Sequence, residues 1–150
     1  MNIHSLLNNA VVRSWNECTI DTNKLIYPIF VHNESDIVIS GFEPNKRWSV
    51  NAEESAGLIE YLHGLVNIGL KSVLIFGIVP TYMKNSTGSY ADDINGPIIL
   101  ALKLLKENFP SLLLAVDVCL CEYTDSGHCC MFDNSNNIDN TNTVNRLATI

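Results

Sequence analysis

Positive charge is what this chain has least of. Lysine and arginine together number 9 against 16 aspartates and glutamates, which leaves a formal net charge of −7. No basic stripe is available to neutralise phosphates, so nucleic acid is excluded as a partner. Long apolar runs are also missing. None approaches the roughly 20 residues that a membrane-spanning helix requires, so no membrane is expected. The opening stretch MNIHSLLNNAVVRSW does not run from a charged start into an apolar segment. No secretory signal is read there, and the cytoplasm is the expected compartment. Internal repeats are absent as well.

What is present is a chain of 150 residues, 47% of them apolar, enough for one domain with a sizeable core. Residues 1–24 have no strong period and read as an N-terminal arm, either a short helix or an extended segment. Leu25–Val31 is a continuous apolar run and reads as a buried strand, in which Pro28 removes a ladder donor and suggests an edge or a bulge. Residues 32–50 read as turn-rich and polar. Asn51, with Glu54 three places on, predicts a capped helix whose apolar stripe is Leu58, Tyr61, Leu62, Leu65, Val66 and Leu70, with Gly69 near its end. Lys71–Pro80 is a second apolar strand. A long polar loop leads to Pro97, the start of a second amphipathic helix stopped at Asn108–Pro110. Ser111–Leu120 is a third buried strand. Strand, helix, strand, helix, strand predicts an α/β fold with a parallel sheet, whose functional sites belong at the C-terminal strand ends. Residues 25–132 form that body. Residues 133–150 are asparagine-rich with little apolar content and are expected to be a flexible tail.

Four of the chain's five cysteines fall between residues 119 and 130, at the end of the third strand. In a reducing compartment, close cysteine spacing points to metal or catalysis before disulfides. On an extended strand Cys119 and Cys121 project from one face, and Gly127 allows a turn that returns Cys129 or Cys130 to them. Three thiolates would leave a tetrahedral zinc with one open position, the arrangement of a catalytic rather than a structural site. Reduced core cysteines and a redox pair are the other readings. His128 is a possible further ligand or a solvated loop residue. Asp117 is either an acid–base group beside the thiols or a strand-end aspartate bonded to loop amides. Asp92 and Asp93 read as acids preceding a helix. Cys18 reads as a small core residue, and His4, His32 and His63 as surface residues.

The segment DVCLCEYTDSGHC, 117–129, resembles the zinc-binding segment of the porphobilinogen synthase (δ-aminolevulinic acid dehydratase) family. RSWNE, KLIYPIFV, KRWSVN, GLKSVLIFGI, GSYAD and LLKENFPSLLLAVDVCLC follow that family's N-terminal half in order and spacing. The resemblance implies a TIM (β/α)8 barrel with an N-terminal arm, of which this chain supplies the first three βα units. It implies a homo-oligomer, an octamer in the family, that condenses two molecules of 5-aminolevulinate into porphobilinogen for haem and other tetrapyrroles. It implies Zn2+ held by Cys119, Cys121 and Cys129, Asp117 as an active-site acid, and His128 at a position serving a second, non-catalytic zinc in some members.

Departures accompany the likeness. Glu122 stands where the family commonly has proline, Ser126 replaces a common histidine and Cys130 a common glycine, and Thr87 and Tyr90 alter the preceding loop. A whole barrel takes about 250 residues. The two Schiff-base lysines that the family carries later in its barrel have no counterpart here, so the expectation is a fragment inactive alone. The alternative is a non-catalytic zinc-binding or oligomer-docking α/β module.

Overall fold

A computed structural model describes residues 8–16 and 19–150. The expectations for His4 and Cys18, and for the first part of the arm, lie outside the described residues. Within the arm, helix α1 (Ala10–Ser14) is capped by Asn9, whose side-chain oxygen accepts from the Val11 and Val12 amides at 2.9 and 3.3 Å.

The body is an α/β fold around a five-stranded, mostly parallel sheet. Its strands are β1 (Tyr27–His32), β2 (Ile37–Val38), β3 (Lys46–Ser49), β4 (Ser72–Gly77) and β5 (Leu113–Val116), in the spatial order β2-β3-β1-β4-β5. The parallel core is in register with Ile29 beside Ile75 and Ile75 beside Val116. Helix α2 (Ala56–Asn67) leads into β4 and α3 (Pro97–Asn108) into β5. Both lie on the same face of the sheet. Ile29, Val31, Val73 and Ile75 are buried there against Leu58 and Leu62 of α2 and Ile98, Ala101 and Leu105 of α3. Fully burying one such side chain is worth roughly 1.5–3 kcal/mol, so this layer dominates the stability of the fold.

Among the described residues, no helix covers the opposite face. Phe30 and Phe76, adjacent in register, stack with centroids 5.4 Å apart, and Phe42 from the β2–β3 turn meets Phe30 edge-on at 6.2 Å. Both ring contacts are of the favourable aromatic type, yet Phe30 and Phe76 remain only half buried.

Several expectations hold. Pro97 occupies the first turn of α3, and that helix ends at Asn108. At the end of α2, Gly69 adopts φ +109°, its amide bonds the Val66 carbonyl, and the Leu70 amide bonds the Leu65 carbonyl, each at 3.0 Å. That pair of bonds is a Schellman cap, which needs a residue with positive φ.

Others are corrected. Residues 32–50 are not all turn, because they contain β2 and β3. These strands lack a continuous apolar run since they lie at the sheet margin: β2 is exposed, and β3 buries only Trp48 and Ser49. β1 is not an edge strand. Pro28 is tolerated because β3 pairs with β1 only from Phe30 onward, so no neighbour on that side asks Pro28 for a hydrogen bond. α2 starts at Ala56 rather than Asn51. Asn51 contributes its carbonyl to the Glu54 and Ser55 amides in a preceding turn. β5 stops at Val116, short of Leu120, because the adjacent β4 ends at Gly77. His32 is a core residue, only 3% exposed, and burial lowers its pKa.

The asparagine-rich segment departs most from expectation. Residues Asn140–Thr149 form helix α4. Asp139 caps it, its carboxylate accepting from the Asn142 amide at 3.0 Å, and Leu147 and Ile150 pack on a small cluster of Val79, Ala91, Leu120 and Tyr123. Composition underestimated this segment because two apolar side chains and one arginine, spaced to face the loops after β4 and β5, are sufficient to dock it.

A candidate metal centre after strand β5

The last rung of β5 is the Asp117 amide, which donates to the Ile75 carbonyl at 3.1 Å. Beyond it the chain leaves the sheet and is anchored by Leu120, which is fully buried. The Tyr123 and Thr124 amides both donate to the Leu120 carbonyl at 2.9 Å, closing a single tight turn around Cys121. Gly127, at φ +71°, sends its amide back to the Thr124 carbonyl at 3.2 Å, and the Thr124 hydroxyl donates to the His128 carbonyl at 2.8 Å. These bonds fold the loop on itself and return Cys129.

Three thiols meet as a result. The Cys119 sulfur lies 3.3 Å from that of Cys121 and 3.2 Å from that of Cys129, and the three ligand atoms all lie within 4.8 Å of one another. The convergence does not arise from strand alternation, since Cys119 and Cys121 stand past the end of β5. It comes from the turn at Leu120 and the glycine return. Zinc–sulfur bonds of about 2.3 Å in a tetrahedron place sulfurs about 3.8 Å apart, so a small outward movement of the three sulfurs would admit the ion. The donor set is soft thiols alone, which suits zinc and does not suit magnesium or calcium.

The thiols are electrostatically linked. Burial raises the Cys119 pKa, but the Cys121 amide and the Cys129 and Cys121 thiols hydrogen-bond to its sulfur and bring the net value below that of an ordinary thiol. Cys121 is pushed up to about 12, first by burial and then by Cys119. Cys129 is raised, chiefly by its hydrogen bond to Cys119. Cys119 is therefore the first of the three to ionise, and a metal bound to all three must displace protons.

The remaining predicted residues take different places. Asp117 is exposed at the strand end, where its charge opposes ionisation of Cys119. Among the described residues its carboxylate accepts no hydrogen bond from the loop amides. It lines a cavity of about 160 Å³ together with Cys119, Val116, Ile98, Tyr123 and Ile150. His128 is exposed, its ring edge-on to Phe132 at 5.7 Å, and it does not join the three thiols. Cys130 is free and also outside the group. His63 is exposed as expected and lies against Phe109 at 4.7 Å.

Supporting residues that the sequence did not single out hold the thiol loop from the side. Lys84 pairs with Glu122 at 3.2 Å. The Asn85 amide donates to the Tyr123 carbonyl at 3.2 Å, and the Asp125 amide donates to the Asn85 carbonyl at 3.3 Å. Two of the departures are thus absorbed locally: Glu122 gains a lysine partner, and the Ser126 hydroxyl accepts from the His128 amide at 3.3 Å. The signal for Asn85 is the turn-forming run Asn85-Ser-Thr-Gly. No local signal points to Arg146, which reaches the same loop from 54 or more residues away.

Comparison with known proteins identifies the family. The family model described as delta-aminolevulinic acid dehydratase matches residues 2–150. The delta-aminolevulinic acid dehydratase of Schizosaccharomyces pombe is 39% identical over 99% of this chain and 44% of its own length, and that of Bos taurus is 38% identical over 99% of this chain and 45% of its own. A crystal structure of the Toxoplasma gondii ME49 enzyme, in complex with its reaction product porphobilinogen, superposes with a TM-score of 0.78 at 28% identity, covering 98% of this chain and 41% of that one. The chain thus spans less than half the length of the curated relatives it matches. With the family model matched almost end to end, this chain belongs to the delta-aminolevulinic acid dehydratase family.

Proposed function

We propose that this chain is the metal-bearing part of a porphobilinogen synthase, which condenses two molecules of 5-aminolevulinate in tetrapyrrole and haem synthesis. The observation that carries the reading is the meeting of Cys119, Cys121 and Cys129 at the C-terminal end of a parallel strand, in a chain of this family. On this reading the sheet is the first three βα units of a (β/α)8 barrel. The arm precedes them, and α4 is the helix of the third unit. The face bearing Phe30 and Phe76 turns toward the barrel axis.

Cys119, Cys121 and Cys129 would hold Zn2+, which would supply Lewis acidity toward a substrate carbonyl or amine. Asp117, exposed beside Cys119, takes a proton from bound substrate on a carboxylate oxygen, for which its exposure leaves room. His128 stands at the position that the resemblance gives to a second, non-catalytic zinc, but among the described residues it joins no group of three metal-ligating side chains. The loop bonds around Leu120 and Thr124 keep the three sulfurs together so that little ordering is left for the binding step.

Turnover also needs amine groups that form Schiff bases with both substrates. Lys84, the lysine held against the thiol loop, is already paired with Glu122. On this reading the chain alone is inactive and works within a larger homo-oligomeric barrel in the cytoplasm.

Zinc titration of the reduced chain with simultaneous counting of free thiols tests the site: one zinc should protect three thiols, and protection of none rejects it. Porphobilinogen formation by the chain alone would reject the claim of inactivity. A second reading, a docking module without catalysis, draws on the uncovered Phe30–Phe76 face, and it predicts that the chain changes the oligomer size of a full-length relative on mixing.

A further inference from the structure

We propose that Arg146, on α4, is a positioning residue for the thiol cluster, acting through the loop between β4 and α3. The inference rests on the metal reading above. The Arg146 guanidinium donates to the Thr87 carbonyl at 3.1 Å, the Gly88 carbonyl at 2.9 Å and the Asp92 carboxylate at 2.5 Å, and a further bond to the Thr149 hydroxyl at 3.1 Å steadies the fork from its own helix. Its side chain is only 15% exposed. Two of the three acceptors on the loop are backbone carbonyls, so Arg146 fixes the path of the loop and does not merely neutralise Asp92.

The other side of that loop lies on the thiol turn. Gly88 has φ +58°, and a Cβ there would stand 3.0 Å from the Leu120 side chain, 3.4 Å from Tyr123 and 3.6 Å from Thr124. These three residues form the turn that brings Cys121 back to Cys119. Asn85, three residues earlier, exchanges backbone hydrogen bonds with Tyr123 and Asp125. The 85–92 segment is a splint with α4 bonded to one side and the thiol turn packed on the other. Without Arg146 the splint is free to shift, and the sulfurs lose the restraint that holds them within 4.8 Å of one another. Outer partners of this kind change metal affinity by about 10- to 100-fold when removed. Lysine cannot replace a fork that serves two carbonyls and a carboxylate at once.

Cobalt(II) titration of the reduced 150-residue chain, followed by thiolate-to-cobalt charge-transfer and ligand-field bands, tests this. Arg146→Gln should weaken cobalt binding about tenfold and blur the ligand-field bands, Arg146→Lys should lie between it and the parent, and Asp92→Asn, which keeps both carbonyl contacts, should lose only about threefold. A parallel melting curve without metal separates the effect from folding. A lower melting temperature with unchanged cobalt affinity and spectrum assigns Arg146 a purely structural role and overturns the inference. Should Arg146→Gln fail to fold, the other two variants decide: graded loss supports the inference, and parent-like affinity in both overturns it. Absence of thiolate bands in the unsubstituted chain overturns the metal reading and this inference with it, whereas bands present there and unaltered in folded Arg146→Gln overturn this inference alone.

Discussion

At the scale of single residues, the described cysteines divide three against one. Cys119, Cys121 and Cys129 share one site while Cys130, next in the chain, stands outside it. Alanine at any of the three should lower zinc affinity by at least 100-fold, and Cys130→Ala should leave it within about twofold, as measured by competition with a chromophoric chelator. Equal losses at all four positions would contradict the assignment. Gly77 is constrained in a different way. A Cβ there would stand 2.6 Å from Ile98 and closer still to the Tyr123 hydroxyl. Both neighbours are buried, so Gly77→Ala should cost about 1–3 kcal/mol in denaturant unfolding. The neutral value would show that Tyr123 has room to withdraw.

Elements dock through their ends as much as through their faces. The Schellman cap at Gly69 requires φ +109°, and Gly69→Ala should destabilise the chain by about 1 kcal/mol in thermal melts. Helix α4 has little apolar surface, and beside Leu147 and Ile150 its attachment draws on Arg146, which bonds Asp92 as well as the Thr87 and Gly88 carbonyls. The hydrogen bond from Arg146 holds the Asp92 carboxyl below the usual carboxylate range. A depressed folded-state pKa contributes stability that is complete above the unfolded value of about 3.9 and is lost as pH falls through the folded value. The amides of α4 should therefore lose hydrogen-exchange protection below about pH 4 and before the amides of β4, and Asp92→Asn should remove that pH dependence. Simultaneous loss in both elements would show that α4 has no separate stability.

The whole molecule is a layered structure with one layer uncovered. Helices seal one face of the sheet, and the other presents Phe30 and Phe76 half buried. The sheet margins are also open, with Ile37 and Val38 of β2 46% and 50% exposed. Apolar surface and unpaired strand edges together favour association. Sedimentation of the isolated chain should show self-association that rises with concentration, and the double substitution Phe30→Glu with Phe76→Glu should suppress it. A monomer at every concentration would show that Phe42 and the β2–β3 turn shield the face sufficiently.

The sequence by itself determined the parallel core. The apolar runs read at 25–31, 71–80 and 111–120, separated by two amphipathic helices, have few other ways to bury themselves, and they contain β1, β4 and β5 but for His32. The residues at 117–129, with the other matching segments, carried the likeness to the family and with it the expectation that Cys119, Cys121 and Cys129 act together. Tertiary structure alone decided how the thiols meet, because β5 ends where β4 stops offering carbonyls, and the turn at Leu120 replaces the strand as their scaffold. It also decided that β2 and β3 are strands, that His32 is buried, and that the asparagine-rich segment is a docked helix. Each of these depends on a partner distant in the chain, such as Arg146 on the carbonyls of Thr87 and Gly88, and no local pattern of residues encodes a distant partner.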